Sequence, residues 1–332
     1  MINSLSIENF RGIKSLELEN LGQVNVIAGK NNSCKSSVLE SLALFLGAEQ
    51  GFQTFREILE EILIWRGWYG EQAVEDLLYK DSKEAKIMTD NGSLTIEFGT
   101  LPQLPNQKGL SLKLNDKPGI SFGILDISRF LVEGYSRVFL SSKFSPELNF
   151  ELLTPLTFRK FGYVESLYSH AYEQKVVKKT IDILKVAYPE VEGFSPLFKF
   201  NKWILYVETK YGVYPYYLMG EGFKSAMILA FLSSLINSGY LLVDSADAFH
   251  HPKSLGVMVK TLIKGANENN VQVFLTTHSL ELIDMLLEEG IEAGIDGRII
   301  YMKQEDSNVI AKIETFERAN DLRETIGLDL RG

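Results

Sequence analysis

The chain has 332 residues, of which 45% are hydrophobic and 11% aromatic, so it contains enough apolar material for a large globular core. Its 43 acidic and 34 basic residues give a net charge of −9, and DNA binding is therefore not indicated by charge. One cysteine excludes an internal disulfide and any multi-cysteine metal site. No apolar run reaches the ~18 residues of a membrane span and no signal peptide is visible, so we expect a cytoplasmic protein without a membrane partner.

The first fifty residues predict an antiparallel pair, a buried strand and a helix. Residues 5–10 and 16–18 alternate apolar and polar side chains, which is typical of half-buried strands. Residues 23–27 form the next apolar run, and residues 38–45 have helical character.

A phosphate-loop pattern lies between that strand and that helix. Residues 29–36 read Gly-Lys-Asn-Asn-Ser-Cys-Lys-Ser, which fits G-x-x-x-x-G-K-S/T except that Cys34 replaces the second glycine. In such a loop, backbone N–H groups surround the phosphates, the lysine reaches the outer ones and the hydroxyl binds magnesium. A side chain at position 34 requires either a negative φ or a strained backbone. The predicted nucleotide-binding residues of this loop are Gly29, Asn31, Asn32, Ser33, Cys34, Lys35, Ser36 and Ser37.

The middle of the chain predicts helix, then strands, then helix again. Residues 51–79 and 146–196 have mostly helical spacing, the second notably at 163–170 and 175–188. Strands are predicted at 85–88, 93–98, 110–114, 120–125, 137–140, 199–208 and 214–216. The stretch 101–119 holds three prolines and the polar run 106–109, which predicts a hairpin with exposed loops.

The last third predicts strand–helix alternation. Residues 240–243 and 271–275 are short apolar runs of the buried parallel type, with a helix at 253–266 between them. An edge hairpin at 298–303 and 309–313 follows, and then a charged helix.

Two strand ends and one glycine-rich turn carry further candidate site residues. Asp244 ends an apolar strand and is either the magnesium partner of Ser36 or an ordinary turn residue. His278 ends the next strand and can donate to a terminal phosphate, although its neighbours also suit a helix cap. Gly220-Glu221-Gly222 opens a helix, and is either a second set of phosphate-binding N–H groups, useful to a paired subunit, or a glycine turn.

The order of these motifs resembles the ABC-type ATPases of the SMC and OLD-like branch. Residues 7–12, Ile-Glu-Asn-Phe-Arg-Gly, look like the opening strand of that family, residues 29–36 like its Walker A motif, and residues 220–222 like its signature. Residues 327–331 look like the end of small AAA-type, OLD-like proteins that have no attached nuclease domain.

The resemblance implies an α/β P-loop NTPase of ABC type, with a mixed sheet core, an antiparallel β segment and a helical lobe. The expected division is a single composite ATPase domain: residues 1–50 and 236–332 form the nucleotide-binding core lobe, 51–145 a helix with an antiparallel insertion, and 146–235 the helical lobe with the signature. It also implies ATP and Mg²⁺ as cofactors, Ser36 and Asp244 as metal ligands, and an ATP-dependent, head-to-tail homodimer.

The sequence departs from the family pattern at three positions. Ser245 stands where relatives carry the glutamate that polarises water, and a hydroxyl is no general base at neutral pH, so hydrolysis should be slow. Gly220 replaces the signature serine, and Cys34 the loop glycine. Asp247 is a candidate substitute acid, which makes the predicted catalytic residues Asp244, Ser245, Asp247 and His278. His250 and His251 are assigned to a dimer contact or to packing.

Three functions remain open. The leading one is an ATP-dimerised, OLD-like ATPase with weak turnover, acting with a partner effector in DNA-related or defence processes. The second is a nucleotide-binding regulatory subunit without useful catalysis, which holds a separate effector such as a nuclease and is favoured by Ser245. The third is the ATPase subunit of a transporter, against which the strand-rich insertion speaks.

Overall fold

The computed structural model describes residues 1–67, 72–101, 104–123, 149–157, 160, 162–199, 201–248, 252–305 and 308–326. Within these residues the strands are β1 (Leu5–Phe10), β2 (Ile13–Leu18), β3 (Val24–Gly29), β4 (Glu84–Thr89), β5 (Gly92–Leu101), β6 (Leu104–Leu114), β7 (Lys117–Gly123), β8 (Phe150–Leu153), β9 (Val191–Lys199), β10 (Lys202–Thr209), β11 (Gly212–Pro215), β12 (Tyr240–Val243), β13 (Gln272–Thr277), β14 (Gly297–Glu305) and β15 (Asn308–Thr315). The helices are α1 (Lys35–Gln50), α2 (Phe52–Trp65), α3 (Gln72–Glu75), α4 (Tyr163–Glu173), α5 (Val177–Leu184), α6 (Glu221–Leu235), α7 (Pro252–Asn269), α8 (Leu280–Glu292) and α9 (Phe316–Ile326).

The central sheet has the strand order β15-β14-β3-β13-β12-β8. Strands β14, β3, β13, β12 and β8 run parallel, and β15 pairs antiparallel with β14 at one edge. The predicted parallel strands and edge hairpin of the last third are therefore confirmed. Because the carboxyl ends of β3, β12 and β13 meet at one edge, the residues that follow these strands are brought together.

Alternating residues of the central strands supply two separate cores. Val26 of β3 and Val243 of β12 pack into a core with helices α4 to α8. Ile27 and Leu242, their chain neighbours, pack on the other face with α1, α2 and an antiparallel sheet. Since successive strand side chains point to opposite faces, a strand buried on both sides must be apolar throughout. This explains the continuous apolar runs of these strands.

The antiparallel sheet has the order β2-β1-β4-β5-β6-β7. The predicted pairing of the first two strands is confirmed, with Leu5 opposite Leu18 and Phe10 opposite Ile13. The prediction of an exposed loop at 106–109 is wrong, because β6 already begins at Leu104 and Lys108 lies opposite Thr100 of β5. The hairpin partner, rather than local polarity, decides the conformation of that run.

The prediction of helix through 146–196 is wrong at both ends. Residues 150–153 form β8, which pairs with β12 across almost ninety positions of chain, and Val191–Lys199 forms β9. A strand fixed by so distant a partner as β8 leaves no local periodicity to read, whereas β9 pairs with β10, the next strand along the chain. The strand predicted at 137–140, the histidine pair at 250–251 and the closing residues 327–331 lie outside the described residues.

The helical lobe comprises α4, α5, α6 and a three-stranded sheet of order β11-β10-β9. Its centre is α6, in which twelve of the fifteen residues are buried. A helix that is apolar on all sides belongs inside a core. The sequence boundaries proposed for the lobes stay a prediction. In the described part of the chain, no helix is both long and apolar enough to cross a membrane.

A buried polar cluster lies where the chain passes from β8 into the helical lobe. Glu61 of α2 accepts a hydrogen bond from Thr157 (3.0 Å) and pairs with Lys160 (Nζ–Oε2 2.8 Å). Tyr163 donates to Glu151 of β8 (2.9 Å). Burial raises the pKa of the Glu151 carboxyl group to about 7; Lys160 opposes this rise, and the negative charge of Glu61 adds to it.

The stability of the protein should therefore decrease as the pH rises through 7. The folded state keeps a proton on Glu151 that the unfolded chain has released above its ordinary pKa, so folding is favoured at the acidic end of this window. We expect Tm to fall by a few degrees between about pH 5.5 and 8, and the Glu151→Gln variant to lose this dependence. Thermal melts across that pH range measure the dependence of Tm on pH. The control is Glu192→Gln, at an exposed position. An unchanged slope in Glu151→Gln would contradict the assignment.

Candidate functional site

The phosphate loop connects β3 to α1 and is closed by the side chain of Lys35. The Nζ of Lys35 donates to the carbonyl oxygens of Gly29 (2.7 Å) and Lys30 (2.8 Å), so the side chain folds back over the loop. Partial burial lowers the pKa of Lys35, and Asp244 and Asp247 oppose this effect. No side chain caps the start of α1. The loop thus presents a cation together with the uncapped end of a helix.

Of the two backbone conformations predicted for Cys34, the structure shows the strained one. Its φ of 64° lies in the left-handed region, as does that of Asn32 (68°). A left-handed conformation costs a non-glycine residue roughly 1–2 kcal/mol. The thiol packs against Gly12, where a Cβ atom would lie 2.7 Å from Sγ. Burial raises the pKa of Cys34, which favours a packed, protonated thiol over a reactive thiolate.

The predicted metal-binding pair is in direct contact. Oδ1 of Asp244 accepts hydrogen bonds from Ser36 Oγ (2.8 Å) and from Thr276 Oγ1 (2.7 Å), and Asp244 is buried. No group of three or more His, Cys, Asp or Glu side chains gathers anywhere in the described ranges. A hydroxyl and one carboxylate suit Mg²⁺, which usually keeps several waters and takes its other ligands from substrate phosphates.

Asp247 and His278 also lie together, beyond the end of β13. Asp247 accepts a hydrogen bond from Thr277 Oγ1 at Oδ1 (2.6 Å), and its Oδ2 lies 3.3 Å from His278 Nδ1. The Asp247 side chain is 10% exposed, and that of His278 is 62% exposed. Ser279 caps α8 by accepting from the Leu282 N–H, so the helix-cap interpretation of this segment holds beside the proposed phosphate role of His278.

Ser245 takes an unusual backbone conformation directly after the strand-ending aspartate. Its φ is 51°, and its N–H donates to Thr276 Oγ1 (2.7 Å). The Thr276 hydroxyl in turn donates to Asp244, so one threonine orients both residues. The side chain of Ser245 is one of those that line the cavity described next.

These elements surround a cavity of about 480 Å³. All seven residues from 31 to 37 line it, together with Ser245 and His278 of the predicted catalytic set. Thr276 and Thr277 complete the wall at the ends of the central strands. Asp244 and Asp247 lie behind this wall, hydrogen-bonded to the threonines.

Two arginines that are not among the predicted site residues also line the cavity. Arg66, just after α2, donates to Glu40 of α1 (2.6 Å), and Arg11 Nε lies 2.6 Å from the other Glu40 oxygen. Glu40 is buried. Arg11 Nη2 and Ser33 Oγ are buried without a hydrogen-bond partner. The positive charges of Lys35, Arg11 and Arg66 at one cavity fit a polyanionic ligand such as a nucleoside triphosphate.

The glycine-rich turn does not belong to this cavity. Gly220 is the N-cap of α6, whereas Glu221 and Gly222 lie in its first turn, so the helix begins earlier than the predicted turn allows. No side chain caps this helix start, and a Cβ atom on Gly220 would meet nothing within 4 Å. None of the three residues lines the cavity among the described residues.

The parallel sheet, the phosphate loop and the Ser36–Asp244 contact define a P-loop ATPase of ABC type. A family model for the AAA ATPase domain matches residues 1–107. Two uncharacterized proteins of Methanocaldococcus jannaschii are close in sequence. MJECL10 is 48% identical over 212 residues (62% of this chain, 95% of the relative), and MJECL11 is 59% identical over 114 residues (34% of this chain, 100% of the relative). The chain belongs to the same family as these two proteins.

More distant relatives agree with the class. A Helicobacter pylori protein named ATP/GTP phosphatase is 22% identical over 354 residues, covering 94% of this chain and 95% of its own. The crystal structure of an SMC head bound to the C-winged helix domain of ScpA aligns with a TM-score of 0.59 at 14% identity, over 96% of this chain and 99% of that one. A Pyrococcus furiosus SMC head bound to the C-terminal domain of ScpA gives 0.56 at 13% identity, over 98% and 99%. The predicted fold class and superfamily are confirmed; the OLD-like branch stays a prediction.

Proposed function

We propose that this chain is an OLD-like ATPase that binds ATP with Mg²⁺ in the cavity, uses it to hold two copies head to tail, and hydrolyses it slowly. The observation that carries the proposal is the 2.8 Å contact between Ser36 Oγ and Asp244 Oδ1 at a cavity lined by residues 31–37. Bound Mg²⁺ would neutralise charge on the transferring phosphoryl group.

The residues around the cavity divide the binding of ATP and Mg²⁺ among them in this proposal. Lys35, now bonded to two loop carbonyls, turns toward the outer phosphates, while the backbone N–H groups of the loop bind the inner ones. Arg11 and Arg66 add positive charge to the cavity lining, where Glu40 fixes both side chains. Ser36 and Asp244 supply the protein ligands for the metal.

Slow hydrolysis follows from the residues beside Asp244. The Ser245 hydroxyl cannot accept a proton from water at neutral pH without a base of its own, and its N–H is engaged by Thr276. Asp247 is the nearest carboxylate in sequence, and Thr277 and His278 orient it. We assign it the task of polarising the attacking water.

Replacing Asp247 by asparagine should therefore lower the rate of phosphate release about 100-fold, the typical contribution of a general base. ATP affinity should change little, because the proposed role of Asp247 is toward the attacking water and asparagine keeps the oxygen that accepts from Thr277. Ser245→Ala removes the other candidate for activating the water. Its rate of phosphate release should stay within about twofold of the wild-type rate. Steady-state phosphate release measures the rates, and calorimetry measures ATP binding. If Ser245→Ala released phosphate slowly and Asp247→Asn released it at the wild-type rate, the assignment would be reversed.

The head-to-tail dimer is supported by the uncapped start of α6, which does not line the cavity of its own chain. A helix N-terminus with free N–H groups suits the phosphate of a second copy. Sedimentation velocity with Mg-ATP should show a dimer, best preserved in Asp247→Asn, and a monomer without nucleotide or in Lys35→Ala. A monomer under all conditions contradicts head-to-tail closure.

A regulatory subunit without useful turnover is the second candidate, and Ser245 is the observation that favours it. In that case the nucleotide-bound state itself would control a separate effector such as a nuclease. Phosphate release by wild type and by Lys35→Ala distinguishes the two functions. Equal rates would rule out the ATPase function and leave the regulatory subunit as the proposed function.

A further inference from the structure

The chain enters α6 through a short 3-10 turn, Tyr216–Leu218, whose side chains point in two directions. Tyr217 is 52% exposed and Leu218 is 70% exposed. Tyr216 and Met219 instead pack against the core that contains helices α4 to α8. Residues 211–220 include no charged side chain, so no ion pair of their own can hold this segment in place. The position of the turn therefore depends on its two inward side chains.

A carboxylate at the start of α4 receives this turn. Glu165 lies in the first turn of α4, and its carboxylate accepts hydrogen bonds from the Tyr216 hydroxyl, from the N–H of Leu205 and from its own N–H. The pairing of β11 with β10 ends at Pro215 opposite Tyr206, so Leu205 lies one residue beyond the last pair. Glu165 thus binds the chain on both sides of the point where β11 stops pairing.

Tyr216 passes this anchorage on to the start of α6. Its carbonyl oxygen accepts a hydrogen bond from the N–H of Met219 (3.0 Å), and the next residue, Gly220, is the N-cap of α6. Burial raises the pKa of the Tyr216 hydroxyl, and the negative charge of Glu165 adds to the rise, so the phenol keeps the proton that it donates. One side chain therefore ties α4 to the residue that sets where α6 begins.

We propose that Glu165 is a positioning residue for the contact between two copies of the chain: through Tyr216 it holds the start of α6 in the orientation that meets the second copy's nucleotide. The inference rests on the proposed head-to-tail dimer and adds the residue that orients its contact. A turn that is already ordered in the free chain lowers the entropic cost of association. Within the described residues, neither Glu165 nor Tyr216 lines the cavity, so ATP binding and dimer formation can be measured separately.

Tyr216→Phe tests the proposal on the full chain, because it removes the hydroxyl and keeps the ring in the core. Sedimentation with Mg-ATP should show dimerisation that is about 2- to 10-fold weaker than in wild type, the order expected for ordering one side chain on association. Calorimetric ATP affinity should stay at the wild-type value when it is measured at protein concentrations that keep both chains monomeric.

A double variant tests whether Tyr216 acts through Glu165. Glu165→Ala should weaken the dimer at least as much as Tyr216→Phe does, because it removes the acceptor for the whole turn. Adding Tyr216→Phe to Glu165→Ala should then cause no further loss, since coupled residues are not additive. Thermal melts of the three variants show whether each of them is folded.

The matched control is Tyr168→Phe. Tyr168 lies on α4 like Glu165, and its ring packs on Phe231 of α6 with 6.4 Å between the ring centroids. This variant also removes one tyrosine hydroxyl from the helical lobe, and it should dimerise like wild type.

The outcomes separate this inference from the proposed function. Wild-type dimerisation in Tyr216→Phe, additive losses in the double variant, an equal loss in Tyr168→Phe, or a parallel loss of monomer ATP affinity would each overturn the role of Glu165 and leave the proposed dimer standing. A wild-type chain that stays monomeric in Mg-ATP would overturn both.

Discussion

Replacing Lys35 by alanine should weaken ATP binding by about 2–5 kcal/mol, the typical loss when one partner of a buried charge-assisted contact is truncated. Lys35 lines the cavity and has its ammonium group at the loop carbonyls of Gly29 and Lys30. No other lysine lines that cavity in the described residues. Isothermal titration with ATP and Mg²⁺ measures the loss.

The control for that variant is Lys30→Ala. Lys30 belongs to the same loop but is exposed and does not line the cavity. Its removal takes away one positive charge without removing the inner cation, so affinity should change by less than about 1 kcal/mol. Equal losses in the two variants would mean that only the net charge of the loop matters, and the assignment of Lys35 to the phosphates would be wrong.

Replacing Glu40 by alanine should reduce the free energy of unfolding by about 3–5 kcal/mol, because it leaves the mostly buried guanidinium group of Arg11 without its counter-charge. Glu40 is the shared partner of Arg11 and Arg66, and its side chain is 4% exposed. Urea denaturation measures the effect. Glu57→Ala, an exposed residue of the neighbouring helix α2, should change stability by less than about 0.5 kcal/mol.

A double variant separates the ion pair from simple loss of packing. If Glu40 stabilises the fold through Arg66, then Glu40→Ala with Arg66→Ala should cost less than the sum of the two single variants, by about 0.5–3 kcal/mol. Additive losses would show that the 2.6 Å contact contributes nothing beyond packing. ATP affinity of the same variants would report whether Arg66 also contacts the ligand.

The sequence predicts the parts of the site that belong to recognisable motifs. Residues 31–37 line the cavity, and Ser36 contacts Asp244, because a phosphate loop and a strand-ending acid keep their geometry whenever a parallel sheet forms. The pairing of Asp247 with His278 could not be predicted, since their segments meet only through the β12–β13 pairing. The backbone conformation of Cys34 could not be predicted either. The sequence pattern does not show whether a cysteine at this position has a negative or a positive φ.

Residues that reach the site from distant segments could not be predicted. Arg66 follows an amphipathic helix and resembles any solvated helix end until α2 packs on α1 and brings it to Glu40. Glu40 itself lies in a mostly apolar helix, where an isolated acid gives no hint of its partners. The same holds for β8, whose four residues become a strand only through β12. Local pattern predicts motifs, and long-range packing supplies their surroundings.

The burial of α6 along nearly its whole length has a mechanical consequence. A helix packed on every side cannot turn or slide within a close-packed interior without opening voids around it. A force applied at Gly220 would therefore act on the whole helix and on the side chains packed around it. A phosphate bound at the start of α6, as in the proposed dimer, would then be sensed across the core that surrounds this helix.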